Sequence, residues 1–316
     1  MDKGRLAIAI PTFRRSAIVA ANLGIMIDEA AELGVKLYIS DDSPDHETER
    51  VIEELATRYD NIHYRRNDPP LRHDSNLLET LLWPEEDYVW LLGDSLRPKP
   101  GQLERILSFL ADQDLVFVNS HSVDTRNIQF ATDKTAHDLI RGALWHQTLT
   151  GATIYHRRAR CWARNSALEV KKNFPQLSVI LGYASNVPTS VAWFGERSLD
   201  STKKQSYWHQ AALDVFVDDW VSLISSYPTV VTPEQRQGVL KSHSAMTDLF
   251  NANFLLELKK SGHFSWTSTK KPYFWEVMHL SRLKILSILL FPVPVVKLAQ
   301  RISRSMRCTI KCQKAP

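Results

Sequence analysis

Apolar and polar positions over the first 120 residues alternate between two periods. Short strand-like runs occur at "LAIAI" (6–10), "KLYIS" (36–40), "IHYR" (62–65), "DYVWLL" (87–92) and "LVFVN" (115–119). Between them lie helical stretches. The first runs through Ala17 to Ala31, with Ser16 as its cap and Gly34 placed to stop it. The second begins at Thr48, a candidate cap, and sets Val51, Ile52, Leu55 and Tyr59 on one face. "DSNLLETLL" (74–82) and the proline-opened "PGQLERILSFL" (100–110) supply two more.

Strands separated by such helices predict an α/β fold with right-handed crossovers and a mostly parallel, Rossmann-like central sheet flanked by helices. Ligands of such sheets sit beyond the carboxyl ends of the strands. Pro11-Thr12, Asp41-Asp42 and Asp94 all fall at those ends. Taken alone, Asp94 after Gly93 is ordinary turn chemistry, an aspartate bonding its own backbone, and "DDSPD" is an ordinary loop. Three polar strand ends in one sheet favour a ligand site.

The eleven glycines are isolated, with no G-x-G-x-x-G and no G-x-x-x-x-G-K-[ST], so dinucleotide and P-loop readings lose their main support. The eleven histidines show no H-x-x-x-H spacing, and Cys161, Cys308 and Cys312 form neither a disulfide framework nor a four-ligand zinc pattern. Few cysteines and the absence of a signal-peptide core in "MDKGRLAIAIPTFRR" lead to an expected cytoplasmic location.

The formal charge of +4 is unevenly spread: eight of the 39 Lys and Arg follow Glu276, after which no acid occurs, leaving 31 against 35 Asp and Glu elsewhere. A slightly acidic body argues against a nucleic-acid partner and for a tail with a partner of its own. Within that tail, Ile285 to Val296 is apolar but interrupted by Pro292 and Pro294, too short to span a bilayer. Basic residues flank it, as in segments that lie on anionic membrane surfaces; a packed C-terminal helix with a solvated basic end is the alternative.

"IAIPTFRR", "LYISDDSPDHET", "RRNDPPLRHDSN" and "DYVWLLGDS", in that order, resemble the opening of family 2 glycosyltransferases of the GT-A fold. The resemblance covers about the first third of the chain. It implies that Pro11, Thr12 and Arg14 form the first nucleotide-contacting turn, and that Asp41, beside Asp42, bonds the donor base. It implies a donor-side loop built from Asn67, Arg72, His73 and Asn76, and a place for Asp94 as the metal-holding acid of a D-x-D motif, with Mg²⁺ or Mn²⁺ as cofactor. The motif here reads Asp94-Ser95-Leu96, with one carboxylate. One acid plus substrate phosphates can hold Mg²⁺, or Arg72, Arg97 or Lys99 can neutralise a leaving diphosphate instead.

The family's Glu-Asp acceptor motif is not evident; "NFPQL" (173–177) stands nearest. Similar segments belong to transferases of bacterial surface polysaccharides such as O-antigen, including abequosyltransferase-like enzymes. Candidates for the base that deprotonates the acceptor are Glu169 and Asp218, with Asp214 and Asp219 beside it. In "ALDVFVDDWVSLI" the inward Val215, Phe216, Trp220 and Leu223 allow these aspartates to be a solvated helix face. The expected organisation is a nucleotide-sugar half over residues 1–120, an acceptor half over 121–240 of the same domain, and a C-terminal helical extension over 241–316.

The expected activity is inverting transfer of a sugar from a nucleotide-diphosphate donor to a lipid-linked glycan, at the inner face of the cell membrane. Two other readings stand beside it. One is a catalytically silent, membrane-attached scaffold that binds sugar nucleotides, suggested by the missing second acid. The other is a nucleotidyltransferase, for which "PTFRRS" has the arginines and lacks the glycines.

Overall fold

The computed structural model describes residues 4–120, 135–202 and 208–292. Packing divides the chain into two compact units, Met1–Ser206 with Ser222–Val239, and Tyr207–Val221 with Leu240–Pro316.

The first unit opens with β1 (Leu6–Thr12), α1 (Ser16–Leu33), β2 (Lys36–Asp41), α2 (Glu47–Ala56), β3 (Ile62–Arg66), α3 (His73–Leu82) and β4 (Tyr88–Leu91). It continues with β5 (Leu96–Pro98), α4 (Gln102–Phe109), β6 (Leu115–Val118), α5 (Ala136–Gln147), β7 (Thr153–His156), α6 (Arg157–Asn165), α7 (Pro175–Asn186), β8 (Val191–Phe194) and β9 (Leu199–Ser201). Seven strands make one sheet in the order β3-β2-β1-β4-β7-β6-β8, in which β7 runs antiparallel to both neighbours. β5 and β9 form a separate antiparallel pair.

This is the expected mostly parallel α/β architecture. Leu6 to Ile10 are buried throughout because β1 lies inside the sheet, between β2 and β4, where both faces are covered. α1 covers one face with Val19, Leu23, Met26, Ile27 and Ala30. It stops at Gly34, whose φ of 69° is the left-handed conformation in which glycine carries no Cβ penalty.

Two expected caps differ. Ser16 is the first helical residue of α1 and donates its hydroxyl to Glu47 Oε2 at 3.1 Å, while the cap position is Arg15. Thr48 is buried inside α2, whose cap position is His46.

Later elements are α8 (Trp220–Ser225), α9 (Pro233–Met246), α10 (Ala252–Lys260), α11 (Phe274–Val277) and α12 (Arg282–Leu290), after a π-helical stretch over Asp214–Asp219. Val215, Phe216, Trp220 and Leu223 are buried, as the pattern predicts. In the second unit the Trp220 indole donates to the Leu240 carbonyl at 3.2 Å, and Phe216 packs on the His243 ring. Ile285, Ile288 and Leu289 bury one side of α12, and Lys259 Nζ donates to the Ile288 carbonyl at 2.9 Å, a cation satisfying a helix C-terminus.

Among the described residues no helix is long and apolar enough to cross a membrane. The basic tail beyond Pro292 lies outside the described residues.

Candidate functional site

The parallel register places Thr12 opposite Asp41, and Asp41 opposite Arg66, at the carboxyl ends of β1, β2 and β3. The turn after β4 brings Asp94 to the same rim, where the Thr12 hydroxyl donates to Asp94 Oδ2 at 3.2 Å. Thr12, Asp41 and Asp94, spread over 82 positions of sequence, therefore share one edge. Asp94 bonds other elements rather than its own backbone; the turn itself closes through Leu96 N donating to the Gly93 carbonyl.

Asp94 is 8% exposed, and both of its oxygens are occupied. Arg15 Nη1 donates to Oδ1 at 2.8 Å, opposite the Thr12 bond on Oδ2. From within α1, Asn22 Nδ2 donates to the Asp94 carbonyl at 2.7 Å. Asn22 Oδ1 in turn accepts from Arg97 Nη1 at 3.2 Å, and Arg97 pairs with Asp200 at 3.7 Å. The acid at the tip of β4 is thus pinned from α1, β5 and β9.

Asp41 is fully buried. Its Oδ1 accepts from the Ser43 amide at 2.9 Å and from the Ser43 hydroxyl, and its Oδ2 accepts from the Tyr64 hydroxyl at 3.1 Å. Burial, reinforced by the Asp41 charge, pushes the Tyr64 hydroxyl well above its ordinary range, so Tyr64 stays a protonated donor. Asp42 is also buried, and its Oδ1 accepts from Asn67 Nδ2 at 2.7 Å and the Leu71 amide at 3.1 Å. Asn76, buried on α3, donates to the Ser40 carbonyl at 3.2 Å and accepts from Asn67 at 3.1 Å. The Asn67 amide donates to the Asp41 carbonyl at 2.8 Å, so Asp41, Asp42, Asn67 and Asn76 form one network that sets the shape of the rim.

The groups turned to solvent are Phe13, Arg14, Arg72 and His73. Arg14 adopts a φ of 52° and its guanidinium lies over the Phe13 ring at 5.2 Å, while Arg72 adopts a φ of 70° at the start of α3. Pro11 is partly buried at the end of β1. His73 pairs with Asp74 at 2.8 Å, and Asp74 also accepts the Asn173 amide at 2.9 Å. Burial would raise the Asp74 carboxyl, but these partners outweigh it and hold the group below the usual carboxylate range. Asn173 of the "NFPQL" segment thereby reaches the donor-side loop, whereas Gln176 donates to the Thr148 carbonyl at 3.2 Å.

Glu169 is exposed and paired with Lys171. Asp218 belongs to the second unit, where Lys271 holds it together with Asp214. Among the described residues, the ion-pair partner of each carboxylate is a lysine, Lys171 for Glu169 and Lys271 for Asp218. Sequence reasoning passed over Arg15, Asn22, Ser43 and Tyr64. Asn22 carried a signal, as a polar residue on the apolar face of α1; Arg15 looked no different from Arg14.

Among the described residues no group of three His, Cys, Asp or Glu is placed to hold a metal ion. At the expected position the chain offers one carboxylate, already bonded to a guanidinium and a hydroxyl, followed by Ser95 and Leu96. Mg²⁺ and Mn²⁺ favour several oxygen ligands. Asp94 would hold a divalent cation by giving up Arg15, with substrate phosphates and water completing the shell.

The sequence profile of glycosyl transferase family 2 matches residues 7–169, half of the chain. Among solved structures, the mannosyltransferase PcManGT from Pyrobaculum calidifontis, in complex with GDP-Man and Mn²⁺, superposes with a TM-score of 0.54 at 11% identity, covering 90% of this chain and 86% of that one. Residues 1–349 of S. aureus TarS superpose with a TM-score of 0.53 at 12% identity, covering 82% and 77%. The same TarS fragment in complex with UDP-GlcNAc gives 0.52 at 11% identity, covering 82% and 78%. At these identities the likeness is one of fold. No curated protein matches the sequence significantly.

Proposed function

The chain belongs to glycosyl transferase family 2 and is a nucleotide-sugar glycosyltransferase of GT-A type, and from that premise we propose that it adds one sugar to a lipid-linked glycan of a bacterial surface polysaccharide, such as O-antigen. The observation that carries the donor side is the rim where Thr12, Asp41 and Asp94 converge, fronted by Arg14, Arg72 and His73. In this reading Asp41, Asp42, Asn67 and Asn76 shape the base and ribose end, and the exposed cations meet the diphosphate. Titrating UDP-, GDP-, CDP- and dTDP-sugars into the full chain, then assaying transfer to lipid-linked oligosaccharide, tests it; binding of none of them removes the reading.

Single displacement inverts the anomeric centre. The acceptor oxygen bonds C1, the bond from C1 to the diphosphate breaks with its electron pair, and the acceptor's proton passes to a carboxylate. Glu169, in the same unit as the rim, is the candidate for that base, and it must first part from Lys171. A product with retained configuration excludes this course.

The acceptor reading supports a place at the inner face of the membrane. α12 leaves Leu283, Leu290 and Phe291 exposed beside Arg282 and Lys284, and no acid follows Glu276. Lys and Arg near an anionic surface contribute about 1 kcal/mol each.

A second reading, a silent sugar-nucleotide-binding scaffold, is favoured by the lone, fully bonded carboxylate of Asp94. Donor binding without turnover over any acceptor would select it.

A further inference from the structure

The end of β4 carries a cation that is part of the chain. Arg15 Nη1 sits 2.8 Å from Asp94 Oδ1, and the Thr12 hydroxyl takes Oδ2 at 3.2 Å. An incoming Mg²⁺ or Mn²⁺ would have to displace that guanidinium and then rely on one protein carboxylate with substrate phosphates and water, since positions 95 and 96 supply a hydroxyl and an alkyl chain.

Three features suit Arg15 to an anionic ligand. Its side chain is 31% exposed, and the bond to Asp94 uses one of its five N–H donors. It stands at the cap position of α1, an 18-residue helix whose N-terminus has no side-chain cap bond and no acid in its first turn. Asp94 is itself fixed through Asn22 and Thr12, so the guanidinium is held before any ligand arrives.

We propose that Arg15, positioned by Asp94, takes the place of a divalent cation at the donor diphosphate, so that donor binding and transfer are metal-independent. This inference rests on the reading of the rim as a sugar-nucleotide site. The Arg15 guanidinium neutralises the negative charge that accumulates on the departing diphosphate and gives up no proton; Asp94 is a positioning residue that aims it.

Calorimetric titration of the full chain with UDP, GDP, CDP and dTDP, in excess EDTA and in Mn²⁺, tests the idea. For the preferred nucleotide, the Kd is expected to agree within about twofold between the two buffers, and Arg15→Gln is expected to weaken it at least about tenfold in both, the scale of one charge-assisted hydrogen bond. Arg15→Lys keeps the charge and recovers most of the affinity, which separates a charge effect from misfolding. Binding that tightens about tenfold or more in Mn²⁺, or an Arg15→Gln chain that binds like the wild type, overturns the inference while leaving the sugar-nucleotide reading intact. If none of the four binds in either buffer, both fall.

Discussion

Asn67 donates through Nδ2 to Asp42 Oδ1 at 2.7 Å, tying the segment after β3 to the end of β2. The same oxygen accepts the Leu71 amide at 3.1 Å, so one buried carboxylate holds both ends of the stretch 67–71 that leads into Arg72 and His73. Asp42→Ala leaves the Leu71 amide without its acceptor and Asn67 Nδ2 with only Ser40 and Asn76, and a loss of about 1–3 kcal/mol in unfolding free energy is expected. Denaturant titration reads that loss. Because Arg72 and His73 lose their support, the donor KM is also expected to rise, with Asp42→Asn recovering part of both effects. A donor KM equal to that of the wild type would detach this segment from the donor site.

Asp94→Ala frees Arg15 and removes the acceptor for Thr12. Preorganised charge aimed at a leaving group is worth about 10²- to 10³-fold in rate, and a loss of that order in kcat is expected. Because two donors also lose their acceptor, a loss of about 1–3 kcal/mol in unfolding free energy is expected beside it, and kcat is compared at a temperature where both chains are folded. Full activity in this variant would leave the rim without a catalytic function.

Legibility followed physical distinctness. Strands of the parallel sheet are apolar runs with polar punctuation, so β1, β2, β4 and β6 could be read from pattern. β5 and β9 could not, since three-residue strands containing Arg97, Pro98, Asp200 and Ser201 have no apolar period to detect. The reversed direction of β7 likewise depends on which neighbours it pairs with, and no local signal encodes that. At the rim, Thr12, Asp41 and Asp94 were visible because Thr12 and Asp41 end their strands and Asp94 follows one. The division between Arg14 and Arg15 was not, because it is made by backbone: Arg14 takes a left-handed φ of 52° and lies over Phe13, and Arg15 faces Asp94.

A carboxylate outside the rim network should contribute to acid stability. Asp114, just before β6, accepts from Arg158 Nε at 2.6 Å and from the amide and hydroxyl of Ser190 at 2.8 Å each. Burial would raise its pKa, but these bonds outweigh it and hold the carboxyl below the usual range. With its folded pKa below the unfolded value of about 3.9, its contribution is complete above that pH and is lost as pH falls through the folded value. Asp114→Asn should therefore lower the urea midpoint at pH 7 and flatten its decline below about pH 4. An unchanged slope between the two proteins would refute the assignment. Nucleotide affinity should be unaffected, since none of the partners named for Asp114 belongs to the rim network.

Membrane attachment can be tested on α12 itself. Ile285, Ile288 and Leu289 are buried, while Leu283 is 81% and Leu290 71% exposed, with Phe291 half exposed beside them. Leu283 and Leu290 are seven residues apart and so lie on one helical face. Folding within the second unit does not explain three large apolar side chains left in water next to Arg282 and Lys284. Each apolar side chain moved into a bilayer interface contributes on the order of 1–2 kcal/mol, and basic neighbours add a salt-sensitive part. Flotation with vesicles rich in anionic lipid is expected to recover the wild-type chain at low salt and less of it at high salt. Replacing Leu283, Leu290 and Phe291 by Ser should lower recovery by about tenfold or more without shifting the thermal midpoint, because none of the three contributes to the core. Equal recovery of the two chains would mean that α12 does not touch the lipid, and attachment would then have to come from elsewhere in the chain or not occur.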